Sequence, residues 1–199
     1  MSRFVEPVPL TGPHWVSLEP LTTDHIPEIA EAARDGDGGD LWFTSAPGPD
    51  TAGAWTHRLL DIQSRDQGVT YIVRRQSDSL LVGSSSFFNV DAPNRHLEIG
   101  HTWYSGSARR TGVNSETKLV MLSHAFDTLN CVAVEFRTHF FNRRSRAAIE
   151  RLGAKQDGIL RSHQLLADGS RRDTVVYSIL DIEWPAVRTN LRFQLSRHI

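Results

Sequence analysis

The sequence predicts an α+β domain with mixed α/β alternation, on three observations. Strand-like runs VTYIVRR (69–75), LLVGSSSFFNV (80–90) and HLEIGHTWY (96–104) follow one another through QSDS and DAPN, turns short enough for an antiparallel meander. Leu119, Leu122, Phe126 and Leu129 are spaced by three, four and three, the period of a helix with one buried face. From residue 131 a strand, a helix, two strands and a last helix alternate without linker, repeat or low-complexity tract.

The elements follow in order. HWVSLEPL (14–21) alternates apolar and polar residues as a half-buried strand does. Thr22 or Thr23 with Asp24 starts a helix, IPEIAEAAR, that stops in the glycine-rich DGDGGD (35–40). LWFTSAPGPD is a turn-rich loop with large aromatics, and Asp50 or Thr51 caps a second helix to about Gln67. After the meander, SARRTGVNSE (107–116) turns into the third helix, with Asn114 or Ser115 as its cap. CVAVEFRTH (131–139) suits a central strand buried on both faces. NRRSRAAIERLG (142–153) reads as a short helix with Asn142 as cap and Gly153 as stop. GILRSHQLL and DTVVYSIL flank ADGSRR, whose Asp-Gly signals a hairpin. A helix from about Asp181 to Arg197 carries Trp184, Val187, Leu191 and Leu195 on one side.

With 199 residues, 39% of them hydrophobic, residues 1–199 suffice for a single domain with one core. The net charge is -1, from 22 basic and 23 acidic residues, which gives no bulk field to recruit nucleic acid or anionic membrane. Lys118 and Lys155 are the only lysines, so arginine carries nearly all the positive charge. The single cysteine, Cys131, lies in an apolar run and reads as an inert thiol in a reducing compartment. No stretch has the roughly 20 apolar residues of a membrane span, and MSRFVEPVPL lacks a signal-peptide core, so a cytoplasmic soluble protein is expected.

The basic turn raises the question of function. A strand that turns into a helix exposes N–H groups without intrahelical partners, at the positive end of the helix dipole. Arg109 and Arg110 add guanidinium donors suited to phosphate, and Gly112 permits φ > 0 and close approach of a ligand. That composition fits a diphosphate cradle or an ordinary surface turn with two solvated arginines. Neither GxGxxG nor GxxxxGK[ST] is present.

Arg109-Arg110-Thr111-Gly112-Val113-Asn114 resembles the Q/R-x-x-G-x-G/A pyrophosphate loop of the GCN5-related N-acetyltransferases (GNAT). The first and fourth positions match; Asn114 departs from the usual Gly or Ala. The resemblance continues through HLEIGHTWY and through NRRSRAAIERLGAKQDGILR, similar to the N-x-x-S…L-G run of the RimJ/RimL-like branch, and covers roughly residues 14 to 180. It implies a mostly antiparallel twisted sheet of about seven strands flanked by helices, splayed between the fourth and fifth. It also implies acetyl-CoA as co-substrate, its pyrophosphate held by the amides of Arg110, Thr111, Gly112, Val113 and Asn114 with Arg109 alongside. The pantetheine arm would lie beside Thr102-Trp103-Tyr104, Asn142 would bond it, and Arg143 or Arg146 would touch the adenosine 3′-phosphate.

Acetyl transfer to an amine needs a base with a raised pKa and a proton for the leaving thiolate. Glu98, in an apolar strand, is the candidate base, since desolvation raises a buried carboxyl; a structural carboxylate is the alternative. Glu135 is the rival acid residue, expected to be structural or to line the substrate site. The branch pattern brings Ser145 to the coenzyme sulfur as acid, with Tyr104 and Tyr177 as further choices. Strand alternation puts His101 opposite Glu98 unless a bulge intervenes, where it packs or touches substrate. Trp42 and Phe43 shape the acceptor pocket or form a lid over the core. Asp35, Asp37 and Asp40 offer a cationic amine an acidic loop, or are a solvated turn. His96, His139 and His163 have no metal-ligand spacing, and no metal is expected. The acceptor implied is a protein N-terminal amine of the ribosomal-protein type, or else a small amine such as an amino acid, polyamine or antibiotic. A non-catalytic acyl-CoA-binding module is the further alternative, motivated by Asn114. Apolar surface on the last helix and an edge strand predicts a homodimer.

Overall fold

The computed structural model describes residues 3–36, 42–166 and 168–198. Among these, eight strands form one sheet: β1 (Leu10–Thr11), β2 (Val16–Pro20), β3 (Gly68–Arg75), β4 (Leu81–Asp91), β5 (His96–Tyr104), β6 (Ala133–His139), β7 (Lys155–Leu165) and β8 (Arg171–Leu180). Their spatial order is β1-β2-β3-β4-β5-β6-β8-β7. Every neighbouring pair is antiparallel except β5 and β6. The strand beyond the seven expected is β1, a two-residue pairing too short to show a period.

Five helices cover the sheet: α1 (Ile26–Arg34), α2 (Ala52–Ser64), α3 (Val113–Ser123), α4 (Arg143–Leu152) and α5 (Trp184–Ser196). On one face Ile29, Trp55 and Leu59 of α1 and α2 pack with Ile72, Leu81 and Trp103. On the other, Leu119, Leu122, Leu191 and Leu195 of α3 and α5 meet Tyr71, Phe87, Leu97 and Val134. The expected stripe of α5 (Trp184, Val187, Leu191, Leu195) is buried. The Asn142 side chain accepts from Ser145 N at 3.0 Å, and Gly153 ends α4 at φ 107. A cap of that kind contributes about 1 kcal/mol.

Three local expectations are corrected. The second helix ends at Ser64, three residues early. Gly112, not Asn114 or Ser115, occupies the N-cap position of α3, and the helix continues through a π turn, His124–Thr128. Gly112 has φ −68; the left-handed residue of the turn is Arg110 at φ 61. Glycine is required at 112 for space, because a Cβ there would stand 2.5 Å from Trp15 Nε1.

One buried carboxylate ties the N-terminal strands to α3. Glu116, fully buried, accepts from the N–H groups of His14 (3.1 Å), Trp15 (2.6 Å) and Val16 (2.9 Å). The turn between β1 and β2 is thus fixed against the first turn of the helix that follows the basic loop.

Candidate active site

The site begins where β5 and β6 part. They pair only over His96–Glu98 with Ala133–Glu135, although β5 runs on to Tyr104 and β6 to His139. This is the expected splay, between the fourth and fifth strands if the short β1 is set aside. Two irregularities on the β4 side accompany it. Gly100 faces Ser86 and Trp103 faces Ser84, so His101 and Thr102 together oppose Ser85, a β-bulge with His101 at φ 47. Asn89 and Val90 likewise oppose Leu97, with Asn89 at φ 49.

The second bulge turns Asn89 onto Glu98, where its Nδ2 donates to Oε2 at 2.8 Å. Glu98 is 3% exposed, and burial pushes its carboxyl up to about 7 against the pull of Asn89 and Arg137. Arg137 Nε lies 3.5 Å from Glu98, and its guanidinium is bonded to Glu135 at 2.8 Å. Glu135 is therefore ion-paired beside the candidate base.

The first bulge answers the question about His101. Its ring lies 4.6 Å from that of Phe88, which faces Glu98 across the ladder, so His101 joins the Glu98 side of the sheet. Burial, followed by the charges of Arg58 and Arg172, depresses its pKa to about 4, leaving a neutral imidazole. Thr102 points the other way. Its hydroxyl is 2.8 Å from both Ser85 Oγ and Lys118 Nζ, and Lys118 also donates to Ser85 at 2.7 Å. Lys118 is buried, and desolvation lowers its pKa to about 7. Sequence reasoning missed it; its one signal was a lysine in register with the apolar face of α3.

Trp103 packs edge-on to Trp55 of α2 at 6.3 Å. Burial raises the Tyr104 phenol, whose hydroxyl faces Thr117, which makes it a poor acid. Tyr177 is raised too, chiefly by burial, and bridges Arg146 (3.1 Å) and Glu150 (2.9 Å). Arg146 lies in addition over the Phe140 ring at 5.1 Å, so its guanidinium is engaged within the fold; Arg143 is exposed.

The basic turn leads from β5 into α3. Arg109 is half-buried and Arg110 exposed, Thr111 Oγ1 donates to Ala108 O (2.6 Å) and accepts from Val113 N (3.3 Å), and Asn114 lies in the first helical turn. Val113 is buried and anchors the helix start. Asp35, at the end of α1, receives Ser107 N on its carboxylate at 2.9 Å and Gly106 N on its carbonyl. Hydrogen bonding from Ser107, then the charge of Arg109, holds its carboxyl pKa low. Asp37 and Asp40 lie outside the described residues.

At the far side of the cleft, Ser145 and Asn142 occupy the start of α4, directly after β6. Trp42, 57% exposed, contacts Phe43 (5.4 Å) and His139 (5.0 Å), and Phe141 stacks on His139 at 5.7 Å. His163 shares a hydrogen bond with Thr174 at 3.1 Å. Among the described residues no group of three His, Cys, Asp or Glu could hold a metal ion, and no helix is long and apolar enough to cross a membrane.

These features fit acetyl-CoA: a β5 edge without a strand partner beyond Glu98 for an extended amide arm, and a basic helix start for a diphosphate. Residues 16–155 match the family model described as acetyltransferase (GNAT) domain. YdaF of Bacillus subtilis (strain 168), assigned by name to the ribosomal N-acetyltransferases, is 28% identical over 177 residues, 84% of this chain and 90% of that protein. A GCN5-related N-acetyltransferase from Brucella melitensis superposes with TM-score 0.85 at 28% identity, covering 96% of this chain and 86% of the other. Mycobacterium smegmatis RimJ, solved with CoA-disulfide, shares the fold at TM-score 0.77 and 18% identity over 94% of this chain and 95% of its own. With more than half of its length matched to that model, the chain belongs to the GNAT acetyltransferase family and is an acetyltransferase.

Proposed function

We propose that the enzyme transfers acetyl directly from acetyl-CoA to a primary amine, in the first place the N-terminal amine of a protein. The observation that carries the reading is Glu98, a buried carboxyl poised near 7 at the point where β5 and β6 separate. In this reading Glu98 takes the proton of the attacking amine. The amine nitrogen forms the new C–N bond as the C–S bond breaks, and the Ser145 hydroxyl protonates the departing sulfur and is restored from water. Backbone groups of Thr102, Trp103 and Tyr104 bind the pantetheine and polarise the carbonyl. Arg109, Arg110 and the amides through Asn114 hold the pyrophosphate, Asn142 bonds the arm, and Arg143 or Arg146 touches the adenosine 3′-phosphate. His101 and Trp42 line the acceptor side.

The name of YdaF supports a protein N-terminus as acceptor. The buried thiol of Cys131 agrees with a cytoplasmic setting. The exposed edge strand β7 and Phe193 of α5 offer a homodimer surface, which light scattering reading one chain mass at every concentration would refute. The function itself is tested by incubating peptides with acetyl-CoA and reading peptide mass and free thiol together. Equal yields of acetylated N-terminus and thiol are expected; thiol release without acetyl-peptide, or neither product, would overturn the reading.

A further inference from the structure

The charges around Glu98 do not balance. Glu98 and Glu135 are level in the parallel pair and share a face, and alternation along β6 puts Arg137 and His139 there too. Thr174 pairs with His139, and β8 extends beyond the end of β6 to Arg172, two residues before Thr174 and on the same face. α2 covers this face from above. Its Trp55 touches Trp103, and Arg58 follows one turn later. Five charged side chains therefore surround the mouth: Glu98, Glu135, Arg137, Arg58 and Arg172, with His101 and His139 beside them.

Arg137 is taken up by the two carboxylates. Arg58 and Arg172 are not. Among the described residues neither forms an ion pair, Arg58 makes no hydrogen bond, and Arg172 makes one, from Nε to Thr174 Oγ1 at 3.1 Å. Partial burial lowers the pKa of both, and both fields act on His101, which remains neutral and compensates nothing. Arg172 is half-buried with Glu98 as an unbonded counter-charge, and Arg58 is exposed, so both keep guanidinium donors available to a ligand. Arginine's planar donors match a carboxylate.

We infer that the acceptor carries a carboxylate close to its reactive amine, held by Arg172 and Arg58 at the mouth of the β5–β6 cleft while the amine faces Glu98. The inference rests on the transferase reading above. The carboxylate belongs either to a free amino acid or to an acidic residue next to a peptide N-terminus; the chemistry of recognition is shared.

The test compares kcat/KM for matched acceptors: a peptide beginning Ser-Asp against one beginning Ser-Asn, free serine against serinamide, and spermidine. The carboxylate member of at least one pair is expected to be favoured by about 10- to 100-fold, the worth of a charge-assisted hydrogen bond. Which pair shows it identifies the source. Arg172→Met and Arg58→Met, each checked for folding by thermal unfolding, should bring that ratio towards one, and Arg172→Lys should restore part of it. Equal or better turnover of the amides or of spermidine would overturn this inference and leave the transferase reading intact. Turnover of no amine, with acetyl-CoA bound, would overturn both.

Discussion

Replacing Glu98 by glutamine keeps the outline of the side chain and removes its affinity for a proton. In the wild type, burial raises the carboxyl from 4.5 to about 7. That difference corresponds to about 3.4 kcal/mol at about 1.36 kcal/mol per pH unit. About half of the molecules then hold the carboxylate at pH 7, and about a tenth at pH 6. Divided by the neutral fraction of the acceptor amine, whose own pKa is about 7.7–8.0, wild-type kcat/KM should climb about tenfold per pH unit below 7 and level off above it. Glu98→Gln should lower the plateau by about 10²- to 10⁴-fold and abolish the limb. Initial rates of thiol release across that range measure both. Stability gives a second readout of opposite sense. The native state binds this proton more tightly than the unfolded chain, so its contribution is complete below 4.5 and is lost as pH rises to about 7. The glutamine variant should therefore gain on the wild type in denaturant midpoint over that window. A wild-type-like rate limb in the variant would refute Glu98 as the base.

Two further perturbations probe the frame around it. Lys118→Met removes a group whose pKa is lowered from 10.5 to about 7, so the wild type should grow more stable between those values as the unfolded chain loses its proton. The variant's denaturation midpoint should lack that rise, and an identical slope would refute a desolvated lysine. Gly112→Ala forces Trp15 to move from a contact of 2.5 Å, and should cost about 1–3 kcal/mol. Chemical denaturation measures it, and an unchanged midpoint would show that the indole yields freely.

Much of the fold was legible because it depends on local chemistry. Asn142 and Gly153 mark both ends of α4 with a cap and a left-handed residue, and the stripe from Trp184 to Leu195 states which side of α5 is covered. Glu98 could be singled out because a carboxyl in an apolar strand is an anomaly in itself. What the sequence hid depends on register. Whether His101 stands with Glu98 or against it is decided by the opposition of two β5 residues to Ser85, and nothing in HLEIGHTWY announces that. Asn89 likewise reaches Glu98 only because Val90 is also left without its own partner. Arg58 and Arg172 went unremarked in the sequence, since their common action on His101 needs α2 and β8, more than 100 residues apart, to converge. Gly112 was misread for a related reason: its neighbour in conflict, Trp15, is 97 positions away.

The clasp between Asp35 and the turn Gly106–Ala108 has a thermodynamic corollary. It fastens the end of α1, on the proposed acceptor side, to the segment that enters the proposed pyrophosphate loop. Two ligands that share such a joint do not bind independently. Whatever factor the coenzyme adds to acceptor affinity, the acceptor returns to the coenzyme. A single exposed aspartate would in that way make each substrate's dissociation constant depend on whether the other is bound.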